Sequence, residues 1–105
     1  MIRGDVHEFV DKQVVGHEQS GPRYGVVVQS SHLLPSSTVV VAPTSASAQE
    51  LTYRPRVKVL NQKTSVLVEQ MRAVDISRLG RKVGHLSMEE MWMVDEALRS
   101  ILGLV

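Results

Sequence analysis

From Val6 to Met71 the apolar residues come in short, valine-rich stretches separated by turn residues, the pattern of β-strands rather than of helices. The spacing predicts strands at Val6 to Val10, Tyr24 to Gln29, Thr38 to Ala42, Arg56 to Leu60 and Val66 to Met71. β-Branched side chains dominate them because they pack well on a pleated surface. A sixth strand, Lys82 to Leu86, is expected after a short turn or helix at Asp75 to Leu79. Val26-Val27-Val28 and Val39-Val40-Val41 are apolar at successive positions, as expected of central strands covered on both faces. Arg54, Arg56 and Lys58 share one parity while Val57 and Val59 share the other, so this strand should have a cationic and an apolar face. Pro55 places its start at a sheet edge.

At the C-terminal end the period changes. Met88, Met91, Val94, Leu98, Ile101 and Leu102 recur every three or four residues, the stripe of an amphipathic helix. Ser87 and Glu90 have the spacing of a capping box, and Gly103 is a natural stop. Trp92 and Met93 fall off the stripe, which makes them candidates for a second contact surface. Short strands, a long polar loop between Pro43 and Tyr53 and one terminal helix add up to a strongly bent β-sheet or small barrel closed by a helix, mainly β within an α+β class. At 105 residues the chain has room for one domain, 1–105.

Composition narrows the chemistry. There is no cysteine, so disulfides and thiolate metal sites are excluded. The histidines His7, His17, His32 and His85 lack metal-ligand spacing, and there is no Walker loop, dinucleotide fingerprint or nucleophile elbow. No metal or cofactor is therefore expected. No apolar run approaches the roughly 20 residues of a bilayer-spanning helix, and a soluble, unexported protein is expected. The net charge is only +1, but residues 1–86 hold 11 Lys and Arg against 7 Asp and Glu, whereas residues 87–105 hold 1 against 4. A mildly basic body with an acidic end is compatible with phosphate binding on one side.

Three polar groups stand at strand ends or turns, where a β-scaffold tends to place working residues. Gly16-His17-Glu18-Gln19-Ser20-Gly21-Pro22-Arg23 delivers an arginine immediately before a buried strand, either as a surface turn or as a site. Thr44 and Ser45 follow the buried strand ending at Ala42, and their hydroxyls suit either an ST-turn or a phosphate. Glu69-Gln70-Met71-Arg72 closes an apolar strand as an ion pair or as a binding edge. The Arg54/Arg56/Lys58 stripe suits a nucleic-acid backbone, or protection of an edge strand against aggregation, which is the reading slightly favoured.

Taken in order, these segments resemble the MazF/PemK toxins over nearly the whole chain. Ile2-Arg3-Gly4-Asp5-Val6 looks like the family's opening strand, and Gly16-His17-Glu18-Gln19 with Arg23 like its G-x-E-Q loop and catalytic arginine. Val41-Ala42-Pro43-Thr44-Ser45 is similar to its strand ending in a catalytic threonine. Val68-Glu69-Gln70-Met71-Arg72, Arg78-Leu79 through Gly84-His85-Leu86, and Val94-Asp95-Glu96-Ala97-Leu98 with Leu102-Gly103-Leu104 look like its later segments. The chain departs from the family at Tyr24, where proline is usual, and at His7, where an aromatic is common.

The resemblance implies a compact, SH3-like bent barrel of the PemK and CcdB type. It also implies a cytoplasmic, metal-independent endoribonuclease that works as a homodimer on single-stranded RNA and is neutralised by a MazE-like antitoxin. Arg23, Thr44 and Glu18 would be catalytic, with Glu18 or His17 a candidate base. His17, Gln19, Tyr24, Ser45, Gln70 and Arg72 would bind RNA, with Ser45 the alternative to Thr44. A CcdB-like toxin that binds a topoisomerase without cutting RNA is the rival reading, and an RNA-binding barrel without activity is a third.

Overall fold

The computed structural model describes residues 1–9 and 23–104. Among them are strands β1 (Asp5–Phe9), β2 (Tyr24–Val27), β3 (Thr38–Ser45), β4 (Arg56–Val59), β5 (Gln62–Val66), β6 (Arg72–Asp75) and β7 (Leu79–His85), followed by helix α1 (Met88–Leu102). All pairings are antiparallel, and the strands lie in the order β4-β5-β3-β2-β1-β7 with β6 also on β3. β3 is long because it serves two neighbourhoods. Thr38 to Val41 pair with β6, whereas Thr44 and Ser45 pair with Val66 and Ser65 of β5. A sheet that exchanges partners along one strand bends there, which matches the bent, mainly β architecture expected of the chain.

Both faces of the sheet carry apolar cover. On the helix side Val6, Val26, Val28, Ala42, Val57, Val59, Val66, Val68 and Leu86 meet Val94 and Ala97 of α1. On the opposite, outer side Phe9, Val27, Val39, Val41 and Val74 cluster with Leu34 and Leu79. This accounts for the two valine runs: alternate residues enter opposite cores, and only Val40 among the six is half-exposed.

The expected strand from Val66 to Met71 is not there. β5 ends at Val66, the Leu67 N–H donates to the Pro43 carbonyl at 2.9 Å, and Val68–Gln70 form a 3₁₀ turn before β6 begins at Arg72. Leu67 and Val68 are both buried, and a tight turn seats two successive apolar side chains in the core without a strand. The true partner of β4 is the polar stretch Gln62–Val66, joined through a two-residue turn at Leu60 and Asn61 with φ of 51° and 64°. Positive φ at both central residues matches the right-handed twist of the flanking strands. Asparagine adopts it readily, whereas leucine does so only against steric resistance.

α1 begins and ends as its sequence dictates. Ser87 Oγ accepts from the Glu90 N–H at 3.1 Å, and Glu90 Oε1 accepts from the Ser87 N–H at 2.9 Å. Gly103 closes the helix at φ 69°. The stripe is only partly used, however. Met91, Val94, Ala97 and Leu98 reach the core, while Met88, Ile101 and Leu102 are exposed because the sheet covers only the middle of the helix. Arg3 fastens it from the side, pairing with Asp95 at 2.7 Å and donating through Nε to the Val28 carbonyl at 2.8 Å.

Asp5, 2% exposed, organises the junction of β1 and β7. Its carboxylate accepts from the Ile2 N–H at 2.9 Å, from His85 Nδ1 at 2.8 Å and from Lys82 Nζ at 3.2 Å. Burial raises its pKa, but the three hydrogen bonds and the Lys82 charge together outweigh burial, leaving it below the ordinary carboxylate value. A group depressed on folding contributes stability above its unfolded pKa and loses it as pH falls through the folded value. Asp5→Asn should therefore destabilise the protein at neutral pH, with the gap to wild type closing as the pH drops below about 4. Denaturant melts at several pH values check this, and a gap that widens in acid would contradict it.

Candidate RNA-cleavage site

The strand register brings the described candidates to one end of the sheet. Gly25 pairs with Pro43 and Val26 with Ala42, so the same register sets Tyr24 opposite Thr44 and Arg23 opposite Ser45. Cross-strand partners share a face. Arg23, half-buried just before β2, thus falls on the outer face with Gly25, Val27, Pro43 and Ser45. Its carbonyl accepts from the Phe9 N–H at 2.9 Å. Tyr24 and Thr44 belong to the helix-side face, where Tyr24 packs against the core.

Thr44 is 6% exposed, and its hydroxyl donates to the Tyr24 carbonyl at 3.2 Å. This fixes the threonine beside the Tyr24–Gly25 peptide while leaving lone pairs on the oxygen. Ser45, half-buried, is the last residue of β3 and pairs with Ser65 of β5.

Arg72 joins from β6. It pairs with Val41 on the outer face, its guanidinium carbon lies 5.5 Å from the centre of the Phe9 ring, and it donates through one NH group to the Gln70 carbonyl at 3.2 Å. Phe9 stands beside Arg23, so one aromatic ring separates two guanidinium-bearing positions. Gln70 is exposed at the end of the 3₁₀ turn. Glu69 is taken up by Arg54, whose Nε and NH2 donate to the same carboxylate oxygen at 3.0 and 2.7 Å. That pairing holds the Arg54 pKa above its ordinary value, mainly through the hydrogen bond to Glu69. Arg54 thus serves structure, and the cationic stripe reduces to Arg56 and Lys58. His17, Glu18 and Gln19 lie outside the described residues.

Two members of this face were not singled out by sequence as site residues. Phe9 is one, although its alternation with His7 along β1 is legible in the sequence. His7 places Nδ1 3.0 Å from the Gly80 carbonyl, which can only accept, so Nδ1 carries hydrogen. Its Nε2 is buried with no hydrogen-bond partner. His7 pairs with Gly25, which puts the imidazole on Arg23's face.

The family model for PemK-like, MazF-like toxins of type II toxin-antitoxin systems matches residues 2–102. The chain belongs to this family. Endoribonuclease EndoA of Bacillus subtilis is 37% identical over 111 residues, covering 98% of this chain and 95% of the relative. A Mycobacterium tuberculosis protein named as a candidate toxin is 42% identical over 107 residues, covering 99% of each. The fold matches a crystal structure of MazF from Deinococcus radiodurans with a TM-score of 0.81 at 21% identity, over 98% of this chain and 96% of that one. It also matches a mycobacterial endoribonuclease in complex with its cognate antitoxin, with a TM-score of 0.80 at 17% identity, over 100% and 97%. The MazF/PemK likeness read from scattered motifs thus extends through the whole toxin fold.

Proposed function

We propose that this MazF/PemK-family toxin is a metal-independent, sequence-specific endoribonuclease that cuts single-stranded RNA in the cytoplasm and is neutralised by a cognate MazE-like antitoxin. The observation that carries the reading is the placement of Arg23, Thr44, Ser45 and Arg72 around one sheet end of a toxin-family fold. A CcdB-like topoisomerase-binding toxin has no use for a guanidinium and hydroxyls gathered in this way.

In the proposed reaction the ribose 2′-OH attacks the adjacent phosphorus. The O2′–P bond forms, the P–O5′ bond breaks, and the products are a 2′,3′-cyclic phosphate and a 5′-OH end. The nucleophile belongs to the substrate, so the protein must hold the phosphodiester, stabilise the dianionic phosphorane and assist two proton transfers. Arg23 supplies a permanent charge and a planar fork of donors matched to two non-bridging oxygens. Thr44 is assigned a hydrogen bond to the phosphate, made when its hydroxyl turns from the Tyr24 carbonyl, with Ser45 as its alternative. Glu18 or His17 is assigned the proton acceptor, and Gln19, Tyr24, Gln70 and Arg72 contact the RNA.

We assign the working unit as a homodimer. Met88 and Trp92, one helical turn apart, expose 63% and 60% of their surface on one flank of α1, and Leu102 extends that apolar flank. Met93 lies on the other flank, in a groove with Pro55 and Ala97. A symmetric interface uses one such patch twice. Light scattering at micromolar concentration should give twice the chain mass of 11.7 kDa, and a monomer that cuts RNA at full rate would remove the dimer. The function itself is tested by incubating pure protein with single-stranded RNA in EDTA. Cutting supports the nuclease, whereas binding without cutting, or neither, leaves one of the two rivals.

A further inference from the structure

We infer that the cationic face of the β4–β5 hairpin is a second phosphate-binding site, along which single-stranded RNA continues from Arg23. The inference rests on the proposed nuclease function. Arg56 pairs with Ser65 and Ser65 with Ser45 at the end of β3, whose neighbour β2 follows Arg23. β4, β5 and β3 therefore carry Arg56, Ser65 and Ser45 in one row on one face, spanning two strand spacings or about 10 Å, with Arg23 just before the neighbouring strand β2. Arg56 NH1 donates to the buried Ser65 hydroxyl at 3.0 Å, which aligns its guanidinium along the row. Its one ion pair, to the largely exposed Glu50 at 3.5 Å, is of the weak, displaceable kind.

Beyond Arg56 on the same face, Lys58 and Lys63 stand directly opposite each other. Like charges so placed repel. Both side chains are exposed, and neither has an ion pair among the described residues. Protection of a sheet edge explains a cation on each strand, since β4 is the edge strand and the β3 pairing of β5 stops at Ser65, but it does not require Lys58 and Lys63 to face each other. A polyanion lying across both strands accounts for all three cations. An open groove here is lined by Arg56, Lys58 and Lys63 together with Glu50, Ser87 and Glu90. Glu90 does not oppose an anion freely, because its oxygens already accept the Ser87 and Lys58 backbone N–H groups.

The test uses fluorescently labelled, mixed-sequence 2′-O-methyl RNA, which lacks the attacking hydroxyl, in lengths of about 6 and about 20 nucleotides. Lys58→Glu/Lys63→Glu should weaken binding of the longer RNA about tenfold or more, with a smaller effect on the shorter. It should also flatten the salt dependence by about 0.7 per lost phosphate contact. Lys58→Arg/Lys63→Arg should bind as wild type does. Unchanged affinity and salt slope in the glutamate variant, with or without new aggregation, would overturn the inference. So would loss of binding to an acidic peptide such as polyglutamate with RNA binding intact, which would assign the patch to a protein partner. Wild-type protein that cuts all-ribose RNA but binds neither probe overturns the inference alone, whereas failure to cut all-ribose RNA overturns the nuclease reading itself.

Discussion

Arg23→Ala should lower the rate of RNA cleavage by about 100- to 1000-fold, the usual consequence of deleting a preorganised donor aimed at developing charge. The transition state places extra negative charge on two phosphate oxygens, and no hydroxyl nearby can replace a fixed cation. Lysine at the same position should recover little, since a point charge cannot reproduce the two-pronged fork. Thr44→Ala should fall in the same range, and Ser45→Ala serves as its control. The structure makes this comparison informative, because Thr44 is held by the Tyr24 carbonyl whereas Ser45 shares the outer face with Arg23. If Ser45→Ala is inactive and Thr44→Ala active, the working hydroxyl is Ser45. In each case circular dichroism and a melting curve should show that the fold persists.

Replacing the ribose 5′ to the scissile phosphate with deoxyribose should abolish cutting altogether. The mechanism draws its nucleophile from the substrate, and no residue assigned to the site is proposed to attack phosphorus. The loss should exceed that of any single side-chain change, because the attacking atom is gone rather than less well supported. The deoxy substrate should still bind and compete with all-ribose RNA, since Arg23 and its neighbours grip phosphates. Cutting at the same bond would mean that water or a protein group is the nucleophile.

The parts legible in the sequence were those where one local rule governs. Ser87, Glu90 and Gly103 announce the helix ends through short-range hydrogen bonds and glycine's freedom at positive φ. The valine runs announce strands between two cores because side-chain alternation needs no knowledge of the partner. What could not be read depends on register. Gln62 and Lys63 are too polar to signal a strand, and they form one because the Leu60-Asn61 turn folds them onto Val59 and Lys58. Val66 to Met71 looked like a strand because burial of Val66, Leu67 and Val68 mimics one, whereas the backbone turns after Leu67. Arg54 and Arg56 looked alike along the chain. Only the fold shows Glu69 neutralising the first and Ser65 steering the second.

The candidate site followed the same division. Arg23, Thr44 and Ser45 were marked by their places beside buried strands and by the family likeness, and the β2–β3 register brings them together. Arg72 was marked as a strand end, but its stacking on Phe9 needs the β3–β6 pairing, which no local pattern encodes. His7 was noted only among the histidines without metal-ligand spacing and as a departure from the family. Its fixed ring and buried, unpartnered Nε2 come from a contact with Gly80, 73 residues away along the chain.

The most direct measurement is the chemistry of the ends that pure protein leaves on single-stranded RNA in the presence of EDTA. The account predicts cutting at full rate, with a 5′-OH that a kinase can label without prior phosphatase and a 2′,3′-cyclic phosphate on the other fragment. Cutting that requires an added divalent ion, or fragments bearing a 5′-phosphate and a 3′-OH, would contradict it.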